Sequence, residues 1–130
     1  MSRLLRLVFI LSCFAACTVT TTPGSNSTSC VPGQTCQCVT SDDCTLSCPG
    51  VGCKFECLGS GDCNFSCPQG GCSVTASASG DATLSCEGNN CTMQCSGSGD
   101  CTLTACTDSC SCSENGAGDC SDSCTASTCH

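Results

Sequence analysis

Cysteines, a row of evenly spaced aspartates and a single histidine are the residues of this 130-residue chain whose types and spacing could do chemistry. Its 22 cysteines give the strongest signal. They recur as Cys-x-apolar-x-Cys units such as "CTLSC", "CKFEC" and "CNFSC", separated by turns of Gly, Ser, Asn and Pro. Sulfur at this density serves one of two purposes. Thiolates bind soft metals such as zinc or Cu(I), or thiols pair as disulfides in an oxidising compartment. The aspartates Asp43, Asp62, Asp81, Asp100 and Asp119 recur every nineteen residues, and the last four each follow a glycine. Carboxylate oxygens suit hard cations, so a stacked row is a candidate Ca²⁺ edge. An aspartate in a turn also commonly accepts a nearby backbone N–H of that turn.

Enzymatic chemistry finds little purchase. The only histidine, His130, is the last residue and reads as a frayed terminus. Ser-His-Asp and Cys-His catalysis therefore lack a base, and a nucleophilic cysteine needs a free thiolate. Paired carboxylates of the glycosidase kind would need a groove that a thin fold does not offer. The chain is expected to be no enzyme. Eleven acidic residues against three basic ones, with Lys54 alone beyond the leader, exclude nucleic-acid binding, which requires Lys and Arg against phosphate.

The elements that position these residues follow from an internal repeat. In blocks of nineteen the chain reads "SDDCTLSCPGVGCKFECLG", "SGDCNFSCPQGGCSVTASA" and "SGDATLSCEGNNCTMQCSG", with a decaying fourth block from "SGDCTLTACTDSC". Each block holds two five-residue units of period-two alternation, which predicts two short strands. Cys, apolar and Cys share one face, and Thr, Ser, Asn, Lys, Glu and Gln share the other. The apolar slots are Leu46, Phe55, Phe65, Val74, Leu84, Met93 and Leu103; the pattern fades at Cys112 and Asp122. A single antiparallel meander would leave the sulfur face bare. The expected fold is all-β: a small disulfide-stitched β-solenoid, two short strands per nineteen-residue coil, stacked about 4.8 Å apart. In general design it resembles the small insect antifreeze β-helices, although repeat length and motif differ. The calcium-binding nonapeptide β-roll is a looser likeness, because Asp here lies three residues before the apolar position.

A gap in the repeat constrains the pairing. Where cysteines are due, the chain has Ala76 and Ala82. If each cysteine ending a strand bonds the one starting the next, these are the two ends of one absent bridge. The rule gives Cys38–Cys44, Cys48–Cys53, Cys57–Cys63, Cys67–Cys72, Cys86–Cys91, Cys95–Cys101 and Cys124–Cys129. Cys106–Cys110 and Cys112–Cys120 follow at slipped positions, and Cys30–Cys36 completes the set. Each such small loop contributes roughly 2 kcal/mol in the chain-entropy model, offsetting a core that a chain without Trp or Tyr cannot build. The Cys-x-Cys spacings also resemble metallothionein, which would imply a soft-metal thiolate protein; metallothioneins lack the strand periodicity seen here.

Residues 1–16 have Arg3 and Arg6 followed by a ten-residue apolar run from Leu7 to Ala16, a secretory signal peptide too short to span a bilayer. The "FAAC" ending at Cys17 resembles the lipobox of bacterial lipoproteins, with Phe14 where Leu is commonest. That resemblance implies cleavage before Cys17, a lipid on its thiol and, with Thr18 rather than Asp following, an outer-membrane or cell-surface destination. Ordinary cleavage would instead give a secreted protein. Residues 17–29 hold the lipidated Cys17 and a flexible Ser/Thr tether, and residues 30–130 form the cysteine-rich repeat domain. The expected function is structural or surface-interacting, with the membrane as partner through the lipid. The residues name no protein or glycan partner. The alternatives are a Ca²⁺ binder using the Asp row and a soft-metal thiolate protein.

Overall fold

The structure is a computed structural model that describes residues 27–123, with side chains from Ser29 onward. The leader, Cys17, Cys124, Cys129 and His130 lie outside the described residues. Eleven strands follow one another: β1 (Ser27–Ser29), β2 (Thr35–Cys38), β3 (Cys44–Ser47), β4 (Lys54–Cys57), β5 (Cys63–Ser66), β6 (Ser73–Ala76), β7 (Ala82–Ser85), β8 (Thr92–Cys95), β9 (Cys101–Thr104), β10 (Ser111–Glu114) and β11 (Cys120–Ser123). Odd strands form a six-stranded sheet and even strands a five-stranded one. Every pairing is parallel, and most join residues nineteen apart, as Cys44↔Cys63 and Phe55↔Val74. The chain is a right-sized repeat for a β-solenoid of about five coils stitched by disulfides.

Period-two alternation explains the interior. Leu46, Leu84 and Leu103 from one sheet and Phe55, Val74 and Met93 from the other are all at most 1% exposed. Phe55 and Phe65 stack across the interior with ring centroids 4.8 Å apart and planes 12° from parallel, a contact that adds to their area burial. No polar side chain is buried among the described residues.

Two expectations need correction. The strands have four residues, not five. Odd strands retain the first cysteine of the unit and lose the last to the turn; even strands do the reverse, because each coil turns its corners after different cysteines. Ser27–Ser29, placed in the tether on composition, is the first strand, with Ser29 paired to Ser47. A terminal strand needs only backbone pairing, which Ser and Thr supply.

The last coil also keeps its strands after the pattern fades. Cys112 pairs with Met93 and Cys120 with Cys101, so Cys112 occupies the apolar slot of β10. Cys36 occupies the same slot at the other end of this sheet, paired with Phe55. Sulfur thus replaces the large side chain at both ends of the column.

Candidate functional site

Each coil turns two corners. The aspartate corner carries the chain from the five-stranded to the six-stranded sheet, through residues such as Leu58–Asp62. The left-handed corner carries it back; Gly33, Gly52, Gly70 and Gly71 there have φ between 69° and 82°, and Asn90 and Ser109 share that region at 59° and 54°.

Cysteines nearest in sequence are joined around both. The left-handed corner holds Cys30–Cys36, Cys48–Cys53, Cys67–Cys72, Cys86–Cys91 and Cys106–Cys110. The aspartate corner holds Cys38–Cys44, Cys57–Cys63, Cys95–Cys101 and Cys112–Cys120. Bridges in this number are consistent with an extracytoplasmic protein. Ala105, with φ 60°, absorbs the one-residue slip that brings Cys106 into the column, where it is fully buried.

The five aspartates fall in one exposed column. Their hydrogen bonds differ from the turn-local pattern expected from sequence. The backbone N–H of Asp62 donates to Oδ1 of Asp43 (3.1 Å), that of Asp81 to Asp62 (3.0 Å), that of Asp100 to Asp81 (2.9 Å) and that of Asp119 to Asp100 (3.0 Å). Each carboxylate therefore holds the next coil. In return, the N–H of the residue after each aspartate donates to the next aspartate's carbonyl, as Cys63 to Asp81 (2.8 Å) and Ala82 to Asp100 (2.9 Å). The preceding glycines let the turns approach: a Cβ on Gly80 would collide with the carbonyl of Gly61.

At the unbridged turn, Ala76, Ala78 and Ala82 are buried at 4%, 5% and 1%. Three methyls occupy the place of the sulfurs, and Ala78 stands where neighbouring coils have Gly59 and Gly97. Ala78 was not singled out by the cysteine pattern, although its position beside the missing pair was the available signal. An open depression of about 500 Å³ lies over this corner, lined by Val39, Thr40, Leu58, Gly59, Ser77 and Ala78.

The sulfurs of Cys48, Cys67 and Cys72 lie within 4.8 Å of one another, as do those of Cys86, Cys106 and Cys110 and of Cys95, Cys112 and Cys120. All nine are bridged here, so thiolate ligands for a soft metal would form only after reduction.

The outer faces differ. On the six-stranded sheet one column runs Thr45, Asn64, Thr83, Thr102 and Ser121, and its neighbour from Ser47 to Ser123 is serine apart from Thr104. The five-stranded sheet carries Lys54 and Glu56 among its polar residues, and Gln37 Nε2 donates to Glu56 Oε2 (2.6 Å). No family model, curated protein or solved structure matches the chain.

Proposed function

We propose that this is a non-enzymatic, exported protein held at a bacterial outer membrane or cell surface by a lipid on Cys17, with the solenoid as a rigid structural or surface-interaction module. The observation that carries the reading is the outer face of the six-stranded sheet. It repeats Ser, Thr and Asn in register over β3, β5, β7, β9 and β11 without a charge, in a chain of formal net charge −8. Such a face offers hydroxyl and amide groups to a neutral polar surface, and the bridges hold these groups preorganised, so little ordering entropy is lost on contact. The "FAAC" leader and the Ser/Thr stretch after it supply the anchor and spacer.

The test has two arms on cells expressing the full chain. Cys17→Ser is expected to move the protein from the membrane fraction to the soluble fraction. Glutamate at Thr45, Thr83 and Thr102 is expected to leave the protein anchored but to abolish the cell–surface adhesion it confers. A Cys17→Ser protein that stays membrane-bound overturns the anchor; unchanged adhesion of the glutamate form overturns the face.

A further inference from the structure

We propose that Cys112–Cys120 is a thiol-exchange site, opened by an external thiol of cationic character and resolved by Cys95 of the neighbouring bridge. Sixteen of the eighteen bridged cysteines described are at most 5% exposed; Cys112 and Cys120 alone are partly open and pack on the rim of the core. Their counterpart at the other end of the solenoid, Cys30–Cys36, is buried at 1% and 3%. Thiol–disulfide exchange depends on access to a sulfur, so attack by a thiolate falls first on this bridge.

The second sulfur is already in place. Cys120 Sγ lies 3.8 Å from Cys95 Sγ, which is bonded to Cys101. An incoming thiolate RS⁻ bonds Cys112 Sγ, the Cys112–Cys120 bond breaks, and Cys120 leaves as thiolate. Cys120 then bonds Cys95, the Cys95–Cys101 bond breaks, and Cys101 leaves as thiolate. One thiolate enters and one is released, two disulfides become two, and no oxidant or reductant is consumed. The exchange stops there, since the next coil along this corner holds Ala76 and Ala82, paired in register with Cys95 and Cys101. The alanine pair thus bounds the reactive segment and insulates Cys57–Cys63 from it.

Charge selects the thiol. Glu114 Oε2 accepts the backbone N–H of Cys120 (2.9 Å), and exposed Asp119 and Asp122 flank Cys120 in sequence. These carboxylates repel an anionic thiol such as glutathione and draw a cationic one such as cysteamine, or a peptide thiol beside Lys or Arg.

The test treats the oxidised full chain with substoichiometric cysteamine or glutathione, quenches with acid, and maps bridges after cleavage at Asp and Glu without reduction. Cleavage after Asp100, Asp108, Glu114, Asp119 and Asp122 places Cys95, Cys101, Cys112 and Cys120 on separate peptides. The expected result is cysteamine on Cys112 and a new Cys95–Cys120 link, before any adduct on the buried cysteines. Glutathione should react on the order of tenfold more slowly at low salt, a gap that salt narrows. The double variant C95S/C101S should accumulate the Cys112 adduct and form no new link; if it does not fold, the map of the unmodified protein decides alone. Adducts appearing first on a buried bridge, a Cys112–Cys120 bridge that opens while Cys95–Cys101 stays native, or equal rates for the two thiols would overturn the proposal.

Discussion

The two corners of each coil solve the same problem with different means. Among the described residues the left-handed corner has an unbroken series of bridges, left-handed residues to make the turn, and no repeating side-chain ladder between coils: they are joined mainly by backbone bonds such as Gly71 to Asn89 (2.8 Å), with a single side-chain pair in which Thr107 Oγ1 donates to Asn89 Oδ1. The aspartate corner has sulfur as well, but also a carboxylate on each coil that accepts the N–H of the next. One coil of this second corner does without its bridge, where Ala76, Ala78 and Ala82 fill the space. The difference teaches that a covalent link is dispensable where a hydrogen-bonded ladder already fixes the turn and small side chains leave no void.

Full reduction breaks both corners at once and should give the largest effect. Far-ultraviolet circular dichroism of the protein in excess dithiothreitol is expected to lose its β signal, since the remaining core is two short facing columns of apolar side chains. Retention of that signal would mean the ladder and core suffice without sulfur. Next comes an artificial copy of the alanine gap on the other corner. The double variant C67A/C72A should cost about 2 kcal/mol in guanidinium unfolding, because no side-chain ladder crosses the left-handed corner. A negligible cost would make the corners equivalent. Asp62→Ala gives a smaller effect, about 1 kcal/mol, because its exposed carboxylate accepts the N–H of Asp81 in the unbridged turn. Asp43→Ala should cost less and gives the smallest effect, because the N–H that its carboxylate accepts is that of Asp62, in a turn closed by Cys57–Cys63. Equal losses at the two positions would detach the ladder from the missing bridge.

Much of this was legible in the residues. Strict alternation around Leu46, Phe55 and Val74 fixes which face is buried, and the nineteen-residue period leaves a coil as the natural closure. The joint replacement at Ala76 and Ala82 ties each cysteine to its neighbour in sequence. The aspartate bonds were less accessible. An Asp that recurs once per coil has equivalent N–H groups in its own turn and in the next, and period alone does not separate them. The end coils escaped for another reason. Cys36 and Cys112 sit in apolar slots because a terminal coil has a neighbour on one side only, and repeat averaging hides what terminal positions do. Ala105 is similar: its left-handed φ corrects a one-residue slip that reads in sequence only as decay.

Among the described residues the bridges close loops of four to eight residues in sequence, and each joins two consecutive strands around one corner. Away from the alanine pair, a duplication or loss of nineteen residues would therefore carry whole bridges with it and strand no thiol, whereas loss of residues 60–78 would leave Cys57 facing Ala82. The register would be restored at the new junction, with an aspartate again meeting an amide one coil on. On either side of the alanine pair the solenoid can thus change length by unit steps without passing through a mispaired intermediate, and its length becomes a quantity that gain or loss of repeats can tune.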